Sequence, residues 1–182
     1  MFWFKKSDSG RRKTIERLYG AIVAQARAPV FYRDLGVPDT VEGRFDFLVL
    51  HMHLVNERLT RAGEAGAALG QELLDRFFED MDASLREIGI GDLAVPKKMR
   101  TLAEAYLGRA ASYAPAIAGE DEADLSSAIA RNILGTEDAN KAAPLAAYAI
   151  MTAKALTLQP LEQFLEGRVD FSGPGRTDTD AG

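Results

Sequence analysis

Apolar residues recur along this chain at intervals of three and four, a spacing that predicts helices almost throughout. Ile15, Leu18, Tyr19, Ile22, Val23 and Ala26 mark a first helix over about residues 11–27, which must stop before Pro29. Residues 29–39 (PVFYRDLGVPD) read as a packed connector, and Asp39 with Glu42 forms a capping box for the second helix. That helix, about 40–61, aligns Phe45, Leu48, Val49, Met52, Val55 and Leu59 on one face. A Gly/Ala-rich stretch at 62–70 loosens the chain before a third helix over 71–88, whose apolar face holds Leu73, Leu74, Phe77, Phe78, Met81, Leu85 and Ile88. Further helices follow over 96–117 (Met99, Leu102, Tyr106, Leu107, Ala110, Tyr113, Ile117), 121–134 (Leu125, Ile129, Ile133) and 142–158 (Leu145, Tyr148, Ile150, Met151, Leu156). Pro160 opens a last turn with Leu161, Phe164 and Leu165. No alternating segment competes. The expected fold is all-α: one helical bundle of about six to seven helices over 11–171, between a flexible basic and aromatic tail at 1–10 and a disordered end at 172–182.

Composition narrows the function. With 182 residues and 47% of them hydrophobic, the chain can bury a full core. It has no cysteine, which removes disulfides, thiolate metal sites and cysteine nucleophiles. The net charge of −5 argues against nucleic acid as a partner, because phosphate neutralisation needs a basic surface. Charge is uneven, however: residues 1–17 hold six basic against two acidic side chains, leaving −9 for the rest. Phe2, Trp3 and Phe4, followed by Lys5 and Lys6, are therefore expected to touch an anionic membrane surface, with rings in the interface and cations on the headgroups. Neither a spanning segment nor a signal-peptide core is present, so the expected location is cytoplasmic, peripheral on the inner face of the cytoplasmic membrane.

Catalytic chemistry is hard to find. His51 and His53 project about 200° apart on one helix, so they cannot share an ion from there, and both read as helix-flank residues. No G-x-S-x-G or phosphate loop occurs, and Gly89-Ile90-Gly91 follows a helix where a dinucleotide loop would follow a strand. No cofactor or metal site is expected. The rival reading is an all-α Mg²⁺-dependent enzyme or small-ligand-binding protein on the acidic third helix, with Glu72, Asp75, Glu79 and Asp80 in a weak version of the required spacing. A solvated acidic face carrying Glu79, Asp80 and Asp82 fits those residues better.

Residues 31–59 (FYRDLGVPDTVEGRFDFLVLHMHLVNERL) resemble the ubiquinol–cytochrome c chaperone family, through Phe31-Tyr32, Asp34, Asp39-Thr40, Gly43-Arg44-Phe45, Leu50-His51 and Arg58-Leu59. The similarity continues through 77–89 (FFEDMDASLREIG) and 95–107 (VPKKMRTLAEAYL), and covers about 29–166. It implies a non-enzymatic α-helical chaperone that binds newly made cytochrome b and supports assembly of the bc1 complex, acting with a small partner protein or near the ribosome. On that expectation the acidic third helix (Glu79, Asp80, Asp82) meets basic client loops. Tyr32, Arg33, Arg44 and Phe45 supply partner contacts of the aromatic and arginine type.

Overall fold

The computed structural model describes residues 3–171, 173 and 174; at 3–8 only the backbone is described, and most of the predicted tail at 172–182 lies outside. Six longer helices and two single turns make one bundle, with no strand among the described residues. They are α1 (Trp3–Ala26), α2 (Pro29–Arg33), α3 (Val41–Thr60), α4 (Gly63–Glu87), α5 (Val95–Ala118), α6 (Glu122–Ile129, continued as a π turn over Ala130–Leu134), α7 (Ala139–Leu158) and α8 (Leu161–Leu165).

The sequence gives α3 one apolar face toward the core, but the helix lies at the core's centre and is buried on every side. Phe47, Val49, Leu50, His51, Met52, Val55 and Leu59 are essentially inaccessible, and α1, α4, α5 and α7 pack around them. A helix apolar on every side has to be enclosed, and 47–55 (FLVLHMHLV) is interrupted only by the two histidines. Both histidines are buried, which corrects the helix-flank reading.

The predicted loosening at 62–70 is also corrected: α4 is helical from Gly63. Gly66 and Gly70 face α3, where a Cβ on Gly66 would overlap the Leu59 carbonyl and one on Gly70 would lie 2.5 Å from Asn56 Oδ1. The small residues thus serve close helix packing. At the start of α3 the cap is Thr40, whose hydroxyl accepts from the Gly43 amide at 3.0 Å. Asp39 binds Arg44 at 2.6 Å, so the expected capping box does not form. The end of α6 follows expectation, and Asp121 caps its start by accepting from the Asp124 amide at 3.0 Å.

α1 and α4 run parallel. Arg11 Nε donates to both Glu72 oxygens at 2.9 and 3.0 Å, Arg76 Nε to Glu16 at 2.9 Å, and the Tyr19 hydroxyl to Asp80 at 2.8 Å. Three residues assigned to core stripes stand outside it: Ile88, Leu107 and Met151 are 71%, 64% and 46% exposed. Ile88 keeps the helical phase of the buried Phe77 but lies at the end of α4, whereas Leu107 stands about 100° round α5 from the buried Tyr106.

Candidate functional site

An open groove of about 570 Å³ lies between α3, α5 and α7. Leu54 forms its floor; Ala114 and Ile117 come from α5, and Ile150, Ala153 and Leu158 from α7. Leu158 is 83% exposed at the rim. Lys154 on α7 pairs with Glu120 beyond the end of α5 at 2.7 Å, and Arg61 pairs with Glu57 at 2.6 Å. These pairs border the apolar surface and hold its charges near the edges.

Arg58 closes one end of the groove. Its guanidinium donates to the Leu156 and Gln159 carbonyls, both at 2.9 Å, and lies over the Phe164 ring. A cation there satisfies carbonyls left open at the C-terminus of α7 and complements that helix's dipole. His53 lies deeper, beside the Tyr113 ring, and its Nε2 has no hydrogen-bond partner among the described residues. Burial lowers its pKa, against the pull of Glu57 toward the charged form. The groove offers apolar area and a few polar edges.

The residues expected to meet partners fall in two places. Tyr32, Arg33 and Arg44 come together with Arg27 and Asp39 around a shallow cleft of about 380 Å³. Arg33 is tied to Asp34 and Arg44 to Asp39, each at 2.6 Å, and Arg44 also lies over the Tyr32 ring. The Tyr32 hydroxyl donates to the Ala26 carbonyl at 2.7 Å, which makes the ring part of the α1–α2 corner. Phe45 does not join them. It stacks on Phe77 and lies under the Arg109 guanidinium, on the α4–α5 side. Phe31 is fully buried against Phe47 and Tyr148.

On α4, Glu79 is exposed, whereas Asp80, Asp82 and Glu72 are each engaged by a neighbouring side chain. Asp80 receives Tyr19 and Arg76, Asp82 receives Arg86, and Glu72 receives Arg11. Burial, and then Asp80 itself, push the Tyr19 hydroxyl far up. No cluster of three or more His, Asp or Glu side chains able to hold a metal ion occurs among the described residues. Of the expected membrane residues, Phe2 lies outside the described residues, and Trp3, Phe4, Lys5 and Lys6 enter only as backbone at the start of α1. Among the described residues no helix is long and apolar enough to cross a membrane.

One internal pair escaped the sequence. Asp46 on α3 binds Arg109 on α5 at 2.6 Å, and the carboxyl is nearly enclosed. Burial raises its pKa to about 6 despite the guanidinium, which acts the other way. A signal existed: Arg109 lies three residues after Tyr106 and four before Tyr113, on the apolar stripe of α5, where only a buried acid could receive it.

Comparison with known proteins gives one consistent answer. The family model described as ubiquinol–cytochrome C chaperone matches residues 33–171. A ubiquinol–cytochrome-c reductase complex assembly factor 1 of Xenopus laevis is 25% identical over 121 residues, which cover 66% of this chain and 60% of that relative. The crystal structure of the Cbp3 homolog from Brucella abortus superposes with a TM-score of 0.86 at 36% identity, covering 96% of this chain and 97% of that one.

Proposed function

The chain belongs to the ubiquinol–cytochrome c chaperone family, and from that premise we propose that it is an assembly chaperone of the ubiquinol–cytochrome c reductase complex whose client is newly made cytochrome b. The open groove between α3, α5 and α7 is the holding surface. Before assembly, a membrane protein exposes apolar helices and basic cytoplasmic loops. Leu54, Ile117, Ile150 and Leu158 offer the helices an apolar seat, and Glu79 on α4 offers the loops an exposed carboxylate. The observation that carries the reading is the exposure of Leu158, 83%, at the mouth of an open groove. Apolar surface left open beside ion pairs suits a polypeptide that comes and goes. A small ligand would be better served by a closed cavity. The reading needs no catalytic step.

The test is affinity purification from native membranes with the wild-type chain and with the Leu158→Asp, Thr157→Arg double variant, both positions being exposed. Cytochrome b is expected to co-purify with the wild type and to fall several-fold with the variant, with an unchanged far-UV CD spectrum. Equal recovery would remove the groove from the account. No cytochrome b with either chain would remove the client.

A further inference from the structure

The turn between α4 and α5 leaves two aliphatic side chains uncovered. Ile88 is 71% exposed and Leu93 100%. Gly89, at a φ of 89°, breaks α4, and the chain reverses through Gly91 to re-enter a helix at Val95. The result is a solvent-exposed tip. Residues 93–100 (LAVPKKMR) follow, with Lys97, Lys98 and Arg100 all exposed and no acid among them, in a chain of net charge −5. Asp92, the acid beside Leu93, is held by Arg86, which also binds Asp82.

Side chains that stand almost wholly in solvent give a peptide no walls to lie between. Exposed aliphatic side chains followed in the chain by three exposed cations match a lipid surface instead: the carbon chains enter the acyl boundary and the cations meet lipid phosphates. The tip is also separate from the N-terminal residues. Because α1 and α4 run parallel, the turn lies at the far end of the bundle from Trp3; the 25 residues of α4 span about 37 Å at 1.5 Å each.

We propose that the α4–α5 turn is a membrane-contact tip, in which Ile88 and Leu93 insert below the headgroups of an anionic bilayer while Lys97, Lys98 and Arg100 bind its phosphates. The inference does not depend on the client.

The experiment is co-sedimentation of the full chain with vesicles of phosphatidylcholine alone or mixed with phosphatidylglycerol. Wild type is expected on the anionic vesicles only. Ile88→Asp with Leu93→Asp, and separately Lys97→Glu with Lys98→Glu, should each lower the bound-to-free ratio at least about ten-fold, with melting temperature unchanged. A chain lacking residues 2–8, cut short of Arg11 to keep its bond to Glu72, should retain binding that the double aspartate variant abolishes. The proposal falls if that variant sediments like wild type, if deletion of 2–8 alone removes all binding, or if wild type ignores anionic vesicles. If the tip instead docks on a protein, wild type will fail the vesicle arm, and that too overturns it.

Discussion

His51 Nε2 accepts the Tyr148 hydroxyl proton at 2.8 Å, joining α3 to α7 in the middle of the bundle. The direction follows from the other ring nitrogen. Nδ1 lies 2.9 Å from the Phe47 carbonyl, which can only accept, so Nδ1 carries the proton and Nε2 is the acceptor. The Tyr148 oxygen in turn receives Gln25 Nε2 at 3.0 Å, and the same amide donates to the Pro174 carbonyl at 3.0 Å. One buried chain of hydrogen bonds thus ties α1, α3, α7 and the segment after α8.

Tyr148→Phe keeps the ring and deletes the bridge. It should destabilise the protein by about 1–3 kcal/mol, because His51 Nε2 is left buried without a partner. Urea unfolding should show a lower midpoint with an unchanged slope.

The same ring makes stability depend on pH. Burial lowers the His51 pKa to about 4 from an ordinary value near 6.5. In the unfolded chain it takes up a proton through that window while the folded ring stays neutral. Stability should therefore fall as pH drops from 6.5 toward 4, by up to about 3 kcal/mol from this group. Asp46 opposes it: with a folded pKa of about 6, its carboxyl holds a proton more tightly when folded, so its contribution grows as pH falls through that value. His51→Gln should weaken the acid-side decline, leaving the part due to His53, whose pKa burial also lowers, against the opposite slope of Asp46. Unfolding free energies at pH 7 and pH 4.5 for both proteins check this.

Arg109→Met leaves the buried Asp46 carboxylate without its cation while keeping an apolar stem under Phe45. The expected loss at pH 8 is about 3–5 kcal/mol. At pH 5 it should shrink, because a proton can replace the lost partner. An equal loss at both pH values would show that packing, and not charge, dominates this contact.

Two glycines should respond oppositely to alanine. Gly66→Ala drives a methyl into the Leu59 carbonyl and the Ala62 side chain, and should cost about 1–3 kcal/mol despite better helix propensity. Gly108→Ala, in the middle of α5 with nothing within 4 Å of the new carbon, should stabilise by about 0.5–1 kcal/mol. Thermal melts of the two variants side by side make the comparison.

Reading from the chain alone succeeded where the signal is local. The last four longer stretches of periodicity became α4 to α7 in type and order, with α5 starting within one residue of expectation. The connector's Phe31 proved to be a core residue and its Arg33 an ion pair with the adjacent Asp34. The candidate site was less legible. Tyr32, Arg33 and Arg44 do meet, but Phe45 belongs to another contact, and Asp80 holds Tyr19. The groove was not foreseen, since Leu54, Ile117 and Leu158 come from three helices whose packing angles no local pattern encodes.

What the chain determined by itself was helix type, most helix boundaries and a family pattern, because these depend on residues within a turn or two of each other. The tertiary structure alone decided which groups are enclosed and which meet. His51 reaches Tyr148 across 97 positions and Tyr19 reaches Asp80 across 61, and helical phase carries no information over such separations. Ile88 shows the same from outside: a side chain on an apolar stripe is buried only if another helix arrives to cover it.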